Sequence, residues 1–149
     1  MSDAAPRRID VARATAAFES AVAEHSQEFG KFFLARLYGF EITFPDKECE
    51  VAFEALDFMF NPQGTLHGGV IATALDVSMG HLLRRSAGSG TTLEFKVQFL
   101  SAIRGGQVRC RGRIMRLGKS LAFLSAEAYD AAGQSAAFAT STWKLLGSK

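Results

Sequence analysis

The stretch Asn61-Pro62-Gln63-Gly64-Thr65-Leu66-His67-Gly68-Gly69, with Asp76 shortly after it, holds the residues of this chain best suited to chemistry. A glycine pair at the start of a helix allows a tight turn and close packing, and it also leaves backbone N–H groups accessible at the positive end of the helix dipole. Such groups can hold a developing oxyanion. Asp76 sits in an otherwise apolar run, 70–83. A carboxylate there is costly unless it is paired, hydrogen-bonded or used as a base or nucleophile. His67 has no second ligand at metal spacing and reads as a positional group bonded to backbone near the turn. His25 and His81 read as surface or packing residues.

The spacing adds a constraint. Gly68 and Asp76 are eight residues apart, about 12 Å along one helix, which is too far for both to act on one carbonyl. Two such helices packed antiparallel across a twofold axis would bring the N-terminus of one to the aspartate of the other, giving a symmetric dimer with two identical sites.

The elements that must position these groups follow from periodicity. Apolar residues at helical spacing, among them Val11, Ala14, Phe18, Phe29, Phe32 and Phe33, predict helices over 10–18 and 25–37. From Cys49 the period becomes two, with Cys49, Val51, Phe53 and Ala55 opposed by Glu48, Glu50 and Glu54, the pattern of a half-exposed strand. Residues 68–85 predict a helix with almost no polar face, to be enclosed by its own fold, with Arg84 and Arg85 suited to its end and Gly88 to its stop. Strands follow at 92–100, 107–116, 120–129 and 134–144. In the first, Leu93, Phe95, Val97 and Phe99 alternate with Glu94, Lys96 and Gln98. The joining segments Arg104-Gly105-Gly106, Leu117-Gly118-Lys119 and Asp130-Ala131-Ala132-Gly133 have hairpin length and turn chemistry, which predicts antiparallel neighbours. The result is an α+β architecture: one buried helix wrapped by a curved antiparallel sheet of five or six strands.

Composition bounds the function. A chain of 149 residues with a net charge of +2 fits one domain, 1–149, with a helical extension at 1–36 and the core at 37–146. The start mixes Asp3, Arg7, Arg8, Asp10 and Arg13 among alanines, and nowhere do eighteen apolar residues run together, so neither a signal peptide nor a membrane span is expected and the chain reads as cytoplasmic. Cys49 and Cys110 lack CxxC partners and read as buried free thiols. The charge is too small to imply nucleic-acid binding, and the stripe Arg109, Arg111 and Arg113 reads as a solvated strand face in preference to a site for polyanions or phosphates.

Asn61, then His67-Gly68-Gly69, then Asp76 in an alanine-rich helix, followed by Thr92-Leu93-Glu94-Phe95 and Gly118-Lys119-Ser120, resembles hot-dog-fold thioesterases of the phenylacetate-pathway and thioesterase superfamily type, over about 37–146. The resemblance implies an acyl-CoA substrate, a homodimeric catalytic unit often paired into a homotetramer, and neither metal nor organic cofactor, coenzyme A being part of the substrate. It also implies roles. Asp76 is the nucleophile or the general base for water, the Gly68 N–H polarises the carbonyl beside Gly69, and Asn61 orients water or the carbonyl. Thr92 places a hydroxyl near the carboxylate. Gly118, Lys119 and Ser120 would contact coenzyme A, with Lys119 available for phosphate; the bland reading is an ordinary hairpin turn. Phe58, Met59, Phe60 and Leu82 are candidate pocket walls.

Other readings are weaker. Gly118-Lys119-Ser120 lacks the earlier glycine of a P-loop, since Arg113 stands there, and Gly88-Ser89-Gly90 lacks the flanking glycines of a nucleophile elbow. A non-catalytic acyl-CoA-binding domain, acting as carrier or sensor, is the alternative from another class, and Asp76 argues against it. A hydratase would need an Asp and His paired for proton transfer.

Overall fold

The computed structural model describes residues 8–147; the charged start with Asp3 and Arg7 lies outside the described residues. Helices α1 (Val11–Glu24) and α2 (Phe33–Leu37) precede strands β1 (Glu41–Thr43) and β2 (Cys49–Glu54), the long helix α3 (Gly68–Ala87), and strands β3 (Gly90–Phe99), β4 (Gln107–Leu117), β5 (Leu121–Tyr129) and β6 (Ser135–Leu145). The six strands form one antiparallel sheet in the order β1-β2-β4-β5-β6-β3, curved around α3. This is the α+β hot-dog architecture.

Small residues let the helix lie close on the sheet. The inner face of β5 and β6 is built from Ala122, Leu124, Ala126, Ala128, Ala137, Ala139, Ser141 and Trp143, all buried. At Gly112 on β4 an added Cβ would stand 2.7 Å from the backbone carbon and oxygen of Ser78 on α3. Against that surface α3 buries Val70, Ile71, Ala74, Leu75, Met79, Leu82 and Leu83, each larger side chain contributing roughly 1.5–3 kcal/mol. Helix α1 is capped by Asp10, whose carboxylate accepts from the Arg13 N–H, while the Asp10 N–H donates to Asp57 Oδ2 at 2.7 Å.

The structure corrects several expectations. The second N-terminal helix shrinks to α2, because the chain before it turns, with Gly30 at φ +80°, in the left-handed region. A sixth strand, β1, is too short to carry a pattern of its own and forms by pairing with β2. Strand β2 is buried on both faces: Glu50 is only 7% exposed, and Arg109 (2.6 Å) and Arg111 (2.8 Å) from β4 both bond its carboxylate. Arg113 bonds Glu48 at 2.5 Å, so the arginine stripe is a cross-strand ion-pair ladder as well as a solvated face.

Strands β3 and β4 are not neighbours despite their short connection. Residues 100–106 cross the end of the sheet from its far edge, held where Leu100 and Ser101 N–H groups reach the Ala136 carbonyl, Leu66 N–H reaches the Ile103 carbonyl and Ala55 N–H reaches the Gly106 carbonyl. Ile103 is buried beneath this crossing and offsets the loss of a hairpin. Within β3 a bulge between Thr92 and Glu94 breaks the alternation, leaving Leu93 exposed where an inward position was expected.

Candidate active site

His67 closes the loop and opens the helix. It is the N-cap of α3 with extended backbone, its N–H donates to the Met59 carbonyl, and its Nδ1 accepts the Gly69 N–H at 2.8 Å. That contact makes His67 the positional group the sequence suggests and leaves its ring proton on Nε2. It also separates the two glycines. The Gly69 N–H is occupied, whereas the Gly68 N–H has no acceptor among the described residues, and so remains available at the positive end of a 20-residue helix.

Asn61 is engaged by its own loop. Its Oδ1 accepts from the N–H of Gln63 (3.0 Å) and Thr65 (3.3 Å), and its Nδ2 donates to Thr65 Oγ1 at 2.9 Å. Asn61 and Gly68 nonetheless line one cavity of about 400 Å³, together with Ile71, Phe99, Leu100 and Ile103. Of the candidate pocket walls, Met59 is core, Phe60 lines a neighbouring cleft with Asn61, and Leu82 faces a separate cavity beside Arg85. Phe99 escaped the sequence reading because strand alternation placed it in the core; it is 52% exposed and its ring lies against Gly68.

Asp76 lies on the flank of α3 that faces β3. Its Oδ1 accepts from Thr92 Oγ1 at 3.1 Å, the pairing the sequence placed near the carboxylate. Burial pushes the Asp76 carboxyl above its ordinary value, and the Thr92 hydrogen bond opposes part of that rise. Within one chain the structure does not bring Asp76 to Gly68, because both are held on one straight helix.

That flank of α3 is where the expected enclosure fails. Gly69, Ala72, Thr73, Asp76 and Gly80 are not buried and form a stripe alongside β3, whose outer edge has no partner strand among the described residues. The remaining histidines are packing groups. His81 Nδ1 donates to the Val77 carbonyl and the ring lies against Phe29 and Phe32, and His25 Nδ1 contacts the carbonyls of Ala21 and Val22. The turn carrying Gly118, Lys119 and Ser120 is an exposed hairpin, closed by the Gly118 N–H on the Leu121 carbonyl. It stands at the end of the sheet where β3 begins, since Ser120 bonds Leu145, which pairs with Gly90.

A curved sheet around one long helix, with a carboxylate on the helix and an open amide at its N-terminus, defines a hot-dog enzyme fold. Residues 63–137 match the thioesterase superfamily, and the chain belongs to that family of hydrolases acting on thioester bonds. A candidate esterase of Saccharolobus solfataricus is 31% identical over 104 residues, covering 65% of this chain and 69% of its own. A candidate thioesterase of Ralstonia eutropha, described as related to phenylacetic acid degradation, is 27% identical with a TM-score of 0.70 over 75% of this chain and 89% of its own. A Bacillus halodurans protein crystallised with CoA superimposes over 99% of both chains with a TM-score of 0.84 at 23% identity. No helix among the described residues is long and apolar enough to cross a membrane.

Proposed function

We propose that the chain hydrolyses acyl-CoA thioesters to free acid and coenzyme A, in a homodimer whose two sites each combine Asp76 of one subunit with Gly68 of the other. The observation that carries this reading is the Asp76 carboxylate, bonded by Thr92 and raised in pKa, on a helix flank and beside a sheet edge that are both open.

The dimer follows from the same edge. The midpoint between Gly68 and Asp76 is Ala72, on the stripe of small residues, so two helices crossing antiparallel near Ala72 set each Gly68 against the opposite Asp76. Pairing of β3 with its copy, centred on Phe95, puts Glu94 opposite the partner's Lys96 and Lys96 opposite the partner's Glu94; both side chains are exposed. Two such dimers could form a tetramer without altering this unit.

In the reaction, the Gly68 N–H donates a hydrogen bond to the thioester oxygen as negative charge develops there, and Asp76 either attacks directly, giving an acyl anhydride that water then hydrolyses to the free acid, or draws a proton from an attacking water. The thiolate leaves without a strong general acid, so no metal or organic cofactor is required, coenzyme A entering as part of the substrate. Asn61 shapes the loop beside the carbonyl, and Gly69 with His67 fixes the helix start. Gly118, Lys119 and Ser120, at the Asp76 end of the sheet, receive the coenzyme, with Lys119 toward phosphate. The buried thiols suit a cytoplasmic setting: burial raises Cys49 to about 12 and pushes Cys110 up as well, so neither is poised to react.

Thiol release from a panel of acyl-CoAs, followed with a colorimetric thiol reagent in the wild type and in Asp76→Ala, tests the reading. Hydrolysis lost in the variant with binding retained supports it. Binding without turnover in either protein would favour a carrier or sensor instead.

A further inference from the structure

Among the features outside the chemistry described, the contact between Phe99 and Gly68 carries furthest. An added Cβ on Gly68 would meet the Phe99 ring at 3.0, 3.3 and 3.5 Å, so the ring lies directly on the residue whose N–H opens α3. The same ring forms one wall of the cavity of about 400 Å³ that Gly68 and Asn61 share, and Ile71, Leu100 and Ile103 form the rest of its apolar surface. Among the described residues of one chain, no charged residue lines that cavity; its polar groups are Asn61, Thr65 and Ser101. Phe99 sits at the end of β3 and is half-exposed, so its ring is held by the strand backbone and not by a surrounding core.

We infer that this cavity receives the acyl group, that the group it takes is uncharged and apolar, and that Phe99 sets how much bulk can lie beside the Gly68 amide. The inference rests on the reading that the Gly68 N–H binds the thioester carbonyl. A carbonyl oxygen held there places the acyl carbon within reach of the ring, while the coenzyme runs the opposite way, toward the turn with Lys119 at the Asp76 end of the partner. A carboxylate on the acyl chain would enter a cavity to which the described residues of this chain bring no cation, and desolvation of an unpaired charge disfavours that substrate strongly. A methylene fitted or excluded by an apolar wall changes selectivity by about 10–200-fold.

The experiment measures kcat/KM for acetyl-, hexanoyl-, phenylacetyl-, decanoyl- and succinyl-CoA with wild type, Phe99→Ala and Phe99→Trp. Wild type is expected to prefer an uncharged acyl group over succinyl by roughly 100-fold or more. Phe99→Ala moves the optimum toward the bulkier acyl groups and Phe99→Trp toward acetyl, each by about tenfold in the ratio of decanoyl to acetyl. The two variants change the wall in opposite senses, so a fold defect in one does not mimic the pattern. Succinyl-CoA turned over as well as hexanoyl-CoA, or acyl ratios unchanged in both variants, overturns the inference while leaving the thioesterase reading intact. A wild type inactive on the whole panel overturns both.

Discussion

Asp76 carries a cost, and the proposed reaction gives it a use. Its carboxyl is pushed up chiefly by burial, so the folded state binds its proton more readily than the unfolded chain does. Stability therefore falls as pH rises from the ordinary carboxylate value through the raised one, and the ionised group is a net burden at neutral pH. Asp76→Asn is expected to lower kcat by about 10²–10⁴ yet raise the melting temperature by about 1–4 °C at neutral pH, read from thiol release and thermal unfolding. Thr92→Ala removes the hydrogen bond that holds the carboxylate ionised, so the acidic limb of the pH–rate profile moves to higher pH; an unmoved limb would mean that another group sets it. At this scale much was legible: a lone acid in an apolar run and a glycine pair after a histidine are visible as residue types. Beyond Thr92 beside Asp76 and a backbone bond at His67, the particular hydrogen-bond partners were not, and the capture of Asn61 by its own loop and of the Gly69 N–H in particular by His67 emerge only from the fold.

The helix α3 and the β4–β5 and β5–β6 hairpins were legible as elements because periodicity and turn residues are local signals. The partners of β3 were not, since residues 100–106 have the turn chemistry of a hairpin but cross the sheet end, a choice fixed by Ile103 and by carbonyls far away in sequence. Glu50 misled for the same reason: an alternating acid reads as exposed until two arginines on the adjacent strand cover it. Burial pushes the Glu50 carboxyl up, but the bonds from Arg111 and Arg109 outweigh it and hold the group below the usual range. Its contribution is thus present above the ordinary carboxylate value and lost as pH falls through the lowered one. Glu50→Ala should lower the urea midpoint at pH 7 at unchanged slope, a loss of about 1–3 kcal/mol in unfolding free energy, and the difference from wild type should shrink in acid. Gly112→Ala, which drives a methyl into the α3 backbone at Ser78, should cost about 1–3 kcal/mol by the same measurement.

At the level of the whole molecule, the curved sheet leaves one flank of its helix open beside the outer edge of β3, and the proposed chemistry needs a second copy to complete it. The sequence suggested a second copy through the family resemblance and through distance, since eight residues of helix keep Gly68 and Asp76 apart. The strand order, with β1 and β3 outermost, was hidden from the sequence, and the proposal takes β3 as the shared edge because it lies beside the Asp76 flank. The central claim is tested most directly by mixing two inactive variants. Gly68→Pro removes the amide proton at the first helical position, where proline is favoured and the preceding His67 is already extended, at φ −62° and ψ 132°, and its Cβ displaces the half-exposed Phe99 ring by a few tenths of an ångström. Mixed with Asp76→Asn under conditions that exchange subunits, half of the dimers carry one of each, and each of those holds one intact site. Thiol release should recover to about a quarter of the wild-type rate. Recovery no greater than the sum of the two parents would contradict a site shared between subunits.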